Sequence, residues 1–152
     1  MSREIYLISA CLLGVNCRYN GTSSLIPELG NLLDTGRLIP VCPEVLGGLS
    51  TPREACEIII QKDGSKRVMS QSGLDCTSEF LSGAEKVLNI AQTCEVKKVI
   101  LKANSPSCGC GNIYDGQFSG RLIEGNGLTS QLLLENDVEV YNENNWTQGE
   151  FV

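Results

Sequence analysis

A chain of 152 residues has room for one compact domain, and its 41% hydrophobic and 20% charged residues exclude a disordered or fibrous protein. The longest apolar runs fall far below the roughly 18 residues that cross a bilayer. Net charge is −6, and the twelve basic residues are scattered, which argues against a polynucleotide and for a small-molecule partner.

Met1-Ser2-Arg3-Glu4 carries no signal-peptide anatomy, which reads as cytoplasmic. It leads into the apolar run Ile5-Tyr6-Leu7-Ile8-Ser9, a buried strand ending in Ala10-Cys11. Gly14 to Gly21 is loop. A short helix is expected over Leu25–Leu33, begun by Ser23 or Ser24 and closed near Gly36. Arg37 to Cys42 is a second strand, with Pro40 and Pro43 at its exit, and Gly47 to Arg53 is loop. Ile58-Ile59-Ile60 and Arg67-Val68-Met69 flank Asp63-Gly64-Ser65 and predict a β-hairpin. Phe80, Leu81, Ala84, Val87, Leu88 and Ala91 recur at three- and four-residue steps, predicting a helix from about Asp75 to Thr93. Lys98 to Lys102 is a third core strand, followed by the loop Asn104–Gly111. A helix over Leu128–Glu135 and a strand over Val138–Tyr141 complete the pattern. The alternation predicts a single three-layer, Rossmann-like α/β domain over residues 1–145, with a mostly parallel sheet and a small β-hairpin, and a loose tail at 146–152.

Eight cysteines and no histidine are the unusual counts. A reducing compartment disfavours four structural disulfides, so some thiols are expected to be metal ligands or nucleophiles. Without His there is no imidazole base and no mixed Cys/His zinc site. Three predicted strands end in thiol-bearing loops, at Cys11, Cys42 and Cys108. Parallel sheets bind ligands beyond the carboxyl ends of their strands, so those thiols are expected to converge. They are too far apart in sequence for the paired spacing of structural zinc but suit a [4Fe-4S] cluster, in which a three-thiolate set leaves one iron open as a Lewis acid. The plainer alternative is that Cys11 and Cys42 are small buried hydrophobes.

Cys17 is a further candidate ligand and Cys110 a substitute for Cys108. Cys56, Cys76 and Cys94 are read as packing residues. Glu44, two residues after Cys42, is placed for acid–base work, or else for capping a helix. Ser105 and Ser107 flank Pro106 as nucleophile, water-orienting or turn residues. Lys102 faces the pocket or is a solvated surface lysine, and Arg53 binds an anion or a polar substrate edge or forms a surface ion pair.

Ser9-Ala10-Cys11-Leu12-Leu13-Gly14 with Cys17-Arg18-Tyr19, Pro40-Val41-Cys42-Pro43-Glu44 running into Gly47-Gly48-Leu49-Ser50-Thr51-Pro52-Arg53, and Ser105-Pro106-Ser107-Cys108-Gly109 together resemble the thiouracil desulfidase family. Ile113-Tyr114-Asp115-Gly116, Phe118-Ser119-Gly120 and the helix start at Gly125 and Gly127 match as well, so that the likeness spans residues 4–141. It implies a [4Fe-4S] enzyme that removes sulfur from a thiolated pyrimidine such as 2-thiouracil, giving uracil and hydrosulfide without net electron transfer. By position it implies Cys11, Cys42 and Cys108 as cluster ligands, an open iron for the substrate sulfur, and Glu44 and Ser105 as the catalytic pair. Asn20 stands where many relatives have Asp. The competing readings are a zinc-binding or fully ligated iron–sulfur module without small-molecule catalysis, and a cluster-free thiol enzyme.

Overall fold

The computed structural model describes residues 4–151; Met1 to Arg3 and Val152, at the ends of the expected domain and tail, lie outside them. Four strands form one parallel sheet: β1 (Tyr6–Ser9), β2 (Leu38–Val41), β5 (Lys98–Ile100) and β8 (Glu139–Tyr141), in the order β2-β1-β5-β8. The chain steps from β1 outward to β2 and then returns to the other side of β1 at β5. The reversal leaves a crevice at the carboxyl ends of β1 and β5.

Side chains alternate across these buried strands. Leu7, Val41, Val99 and Leu101 face a cluster with Val87, Ala91, Leu133 and Val138, supplied by α3 (Thr77–Thr93), α4 (Leu128–Glu135) and the turn before β8. Tyr6, Ile8, Leu38 and Ile100 face the other way. They pack against Leu29 and Leu32, from a 3-10 turn at Pro27–Leu29 and the single turn α1 (Gly30–Leu33). The predicted helix over 25–33 is therefore shorter than its spacing suggested, because Pro27 takes the first helical position and no serine side chain caps it.

Residues 146–151, the stretch expected as a tail, lie against the sheet. Trp146 and Phe151 pack on the second face, and the Phe151 ring lies 4.7 Å from Tyr6 and 5.4 Å from Tyr141, both edge-on. A face that buries Tyr6 and Ile8 needs an apolar cover, and the end of the chain supplies it.

Two antiparallel ribbons stand beside the sheet. The predicted hairpin is β3 (Cys56–Ile60) with β4 (Lys66–Ser70), and β6 (Asn112–Tyr114) pairs with β7 (Leu122–Glu124). Sequence reading missed the second ribbon because its strands are three residues long. It also missed α2 (Pro43–Leu46), a single turn that crosses α3 at two glycines. A Cβ on Gly47 would stand 2.0 Å from the Glu79 carbonyl oxygen, and one on Gly83 would stand 1.9 Å from that of Pro43. Gly83 is thus a contact position of α3, whereas Leu81, expected in the core, is 47% exposed. No helix among the described residues is long and apolar enough to cross a membrane.

This crossing sets where α2 sits, and α2 carries Glu44. Gly83→Ala is expected to destabilise the fold by about 2–3 kcal/mol through overpacking. Denaturant unfolding would show it as a lower midpoint at unchanged slope. A midpoint equal to wild type would mean that the two helices have room to separate.

Candidate active site at the carboxyl edge of the sheet

The carboxyl ends of β1, β2 and β5 open into a cavity of about 390 Å³ lined by Cys11, Cys17, Cys42 and Cys108, with Glu44, Arg53, Ser105 and Ser107. Cys11 lies on a 3-10 turn that leaves β1, and Cys17 on the loop that follows. Cys42 immediately precedes α2, where Pro43 occupies the first helical position. Cys108 lies beyond β5, in a loop that doubles as the cap of α4. The N–H groups of Leu128 and Thr129 donate to the carbonyls of Pro106 and Ser107 at 2.9 and 2.8 Å, and Ser130 Oγ donates to that of Cys108 at 2.6 Å. Helix termini need such partners for their free N–H groups, so building α4 also fixes the Cys108 loop. Gly127 permits the approach, since a Cβ there would lie 2.5 Å from the Ser107 carbonyl.

The thiols form a connected set. Cys42 Sγ donates to the Cys17 carbonyl at 3.9 Å, Cys11 and Cys42 each lie close enough to Cys17 to shift its ionisation, and Cys42 does the same to Cys108. Contact with Cys11 and burial raise Cys17, and contact with Cys17 and burial raise Cys42. Burial pushes Cys108 up to about 12, against the lowering effect of Ser107 and Ser9, whose hydroxyl oxygens lie 3.5 and 3.4 Å from its sulfur. Crowding and desolvation therefore oppose thiolates here, and a positively charged metal group is what reverses that preference.

Among the described residues, no group of three Cys, Asp or Glu side chains could hold a single metal ion. Cys11, Cys17, Cys42 and Cys108, with Cys56 on the same cavity wall, are soft donors, and an iron–sulfur cluster fits that donor set. Cys110 does not line the cavity, so Cys108 is the member of that pair that faces it.

Glu44 is nearly enclosed, its side chain 15% exposed, and it pairs with Arg53, itself 8% exposed. One carboxylate oxygen meets Arg53 Nη2 and the other accepts from Ser107 Oγ at 2.8 Å. Arg53 also donates to the Cys17 carbonyl at 2.9 Å and to the Ser50 carbonyl at 3.1 Å. It is a buried clamp between two thiol loops. Ser105, expected beside Glu44, reaches it through Ser107: the two hydroxyls are 3.3 Å apart, and Ser105 Oγ accepts from the Cys108 N–H at 2.7 Å. Lys102 lines the cavity but is paired with Glu143 at 3.0 Å.

Sequence reading missed Ser9, Glu143 and Glu57. Ser9 Oγ accepts from the Lys102 N–H at 2.9 Å while donating to Cys108, so it couples β1 to β5 at the floor. Glu57 accepts the N–H groups of Gly116 and Phe118 at 3.0 and 3.1 Å, holding the loop that brings Phe118 to the cavity. For Ser9, the only available signal was its place two residues before Cys11.

A family model described as 2-thiouracil desulfurase matches residues 6–145. The chain belongs to the 2-thiouracil desulfurase family. Its similarity to the uncharacterized protein YbbK of Bacillus subtilis (strain 168) is 43% identity over 143 residues, covering 91% of this chain and 95% of that protein. The fold is also similar to the solved structure of [4Fe-4S]-dependent thiouracil desulfidase TudS. There the TM-score is 0.88 at 40% identity, with 96% of this chain and 95% of that chain covered. The family match includes every residue of the thiol cavity and of the Arg53–Glu44–Ser107–Ser105 chain.

Arg53→Gln would leave a buried carboxylate without its cation, and is expected to cost about 3–5 kcal/mol of stability. Adding Glu44→Gln to that variant removes the unpaired charge, so thermal unfolding of the double variant should recover part of the loss. A double variant less stable than Arg53→Gln alone would show that the pair does not bear the cost.

Proposed function

We propose that this chain is a [4Fe-4S]-dependent desulfidase that converts a thiolated pyrimidine such as 2-thiouracil, with water, to the oxo-pyrimidine and hydrosulfide. Cys11, Cys42 and Cys108 hold the cluster. The observation that carries this reading is that Cys11, Cys42 and Cys108 face one cavity together with the Glu44–Ser107–Ser105 chain. When bound, such a cluster supplies a Lewis-acidic iron that polarises a C–S bond.

The protein's residues do the rest. Glu44 is the base: the oxygen away from Arg53 accepts from Ser107, and the ion pair fixes its direction. A proton leaving a water passes to Glu44 directly and the water oxygen attacks the thione carbon. Alternatively, Ser105 Oγ attacks after its proton reaches Glu44 through Ser107, and water then hydrolyses the serine–pyrimidine bond. Either way the C–S bond breaks, hydrosulfide leaves and the oxo-pyrimidine remains. The Cys108 N–H, bonded to Ser105 Oγ, steadies negative charge on that oxygen. Tyr114 and Phe118 add aromatic surface for a flat ring. A chain without His thus has a base, a relay and a donor in place.

A fully ligated electron-transfer module is disfavoured by the cavity, since about 390 Å³ lined by aromatic and catalytic-type side chains is the size of a small-molecule site. We assign the chain to the cytoplasm, where its eight free thiols stay reduced.

Anaerobically reconstituted protein is expected to bleach the thione absorbance of 2-thiouracil while releasing hydrosulfide. Glu44→Gln should slow turnover at least about 100-fold and leave the cluster's visible absorbance intact. Undiminished turnover by that variant would remove Glu44 from the reaction, and failure of the loaded wild type to release hydrosulfide would refute the activity.

A further inference from the structure

Glu57 is 8% exposed, and the chemistry above gives its carboxylate no part beyond holding a loop. One oxygen, Oε1, accepts the N–H groups of Gly116 and Phe118 at 3.0 and 3.1 Å. Those bonds press the turn between β6 and β7 onto β3, where a Cβ on Gly116 would stand 2.9 Å from the Ile58 carbonyl oxygen. Asp115 tightens the same turn. Its side chain accepts from the Gln117 N–H at 2.9 Å, and its own N–H donates to the Arg121 carbonyl at 3.0 Å. Phe118 is held at φ 55°, a left-handed conformation unusual for a bulky residue, and it lines the cavity with Tyr114.

The other oxygen, Oε2, accepts from none of the described residues. Nor is it among the enclosed side-chain atoms that lack a partner, so it keeps an opening. Glu57 borders the cavity, and the cavity is the opening that a side chain so enclosed meets. An ionised carboxylate oxygen only accepts, and one held this far from bulk water gains most from a donor on a bound molecule. The cations around the cavity are otherwise engaged. Arg53 pairs with Glu44, Lys102 with Glu143, and Arg18 lies over the Tyr19 ring at 5.9 Å.

We propose that Glu57 is a specificity-determining residue whose Oε2 accepts a ring N–H of the substrate, while Phe118 and Tyr114 offer that ring an aromatic face. The assignment rests on the desulfidase reading and narrows its substrate to thiones whose ring keeps an unsubstituted N–H. In 2-thiouracil both ring nitrogens flank the thione carbon. A hydrogen bond at either one fixes the rotation of the ring, and so presents that carbon to Glu44 and Ser105. A thione alkylated on both nitrogens leaves Oε2 unmatched in an enclosed site, a penalty that the added methyl groups do not offset.

The test uses anaerobically reconstituted holoenzyme and reads inhibition of 2-thiouracil turnover by uracil and by 1,3-dimethyluracil, which has no ring N–H. Wild type is expected to bind uracil at least about 10-fold more tightly. Glu57→Gln keeps a carbonyl oxygen for the Gly116 and Phe118 N–H groups but turns an amide donor toward the cavity. It should raise KM for 2-thiouracil about 10-fold, lower kcat by less, and bring the two inhibition constants within about 3-fold of each other. A role confined to holding the loop would weaken both inhibitors alike and preserve their ratio, which would overturn the proposal. Equal inhibition by the two in wild type would overturn it without any variant. Wild type that releases no hydrosulfide from 2-thiouracil removes the desulfidase reading and this one with it. Release without discrimination between the inhibitors removes this one alone.

Discussion

A carboxylate shut away from water must be matched on both oxygens, and Glu44 meets that demand by joining segments distant in sequence. Arg53, reaching in from the approach to the hairpin, takes one oxygen, while Ser107, from the loop beyond β5, takes the other. Arg53 also holds the Cys17 carbonyl, so one ion pair ties together the loops that carry Cys17, Cys42 and Cys108. Leaving either partner unmatched would strand a charge in a poorly solvated site. The same arrangement aims a base at the cavity and fixes the thiol loops around it.

Close backbone approach provides the rest of the positioning. Gly47 and Gly83 let α2 lie directly on α3, which sets the height of Glu44. At the other side of the cavity, the N-terminus of α4 is satisfied by carbonyls of the Cys108 loop, with Gly127 at the contact. Neither arrangement depends on a long apolar side chain. The first depends on the absence of a side chain at the crossing, and the second on hydrogen-bonding groups that burial leaves no alternative, which explains how a loop can hold a site in register.

The parallel sheet and the convergence of strand ends were legible because buried strands declare themselves as short apolar runs and the longer helices by their periodicity. Cys11, Cys42 and Cys108 could be grouped from topology alone. What was not legible shares a physical cause. The pairings of Glu44 with Arg53 and Ser107 and of Lys102 with Glu143 are tertiary contacts with no periodic trace. The packing of the last residues was hidden for a related reason: Trp146 and Phe151 are isolated apolar residues in a polar stretch, and only the second face of the sheet reveals what they cover. The resemblance to a known family singled out Ser105, whereas the coordinates add Ser107 as the group that connects it to Glu44.

The central claim is that Cys11, Cys42 and Cys108 hold one iron–sulfur cluster. Iron and acid-labile sulfide, measured per chain after anaerobic reconstitution of single serine variants, test it most directly. Equal iron and sulfide in wild type, lost from Cys11→Ser, Cys42→Ser and Cys108→Ser but kept by Cys110→Ser, is the predicted result. A full complement in any of the first three variants would contradict it.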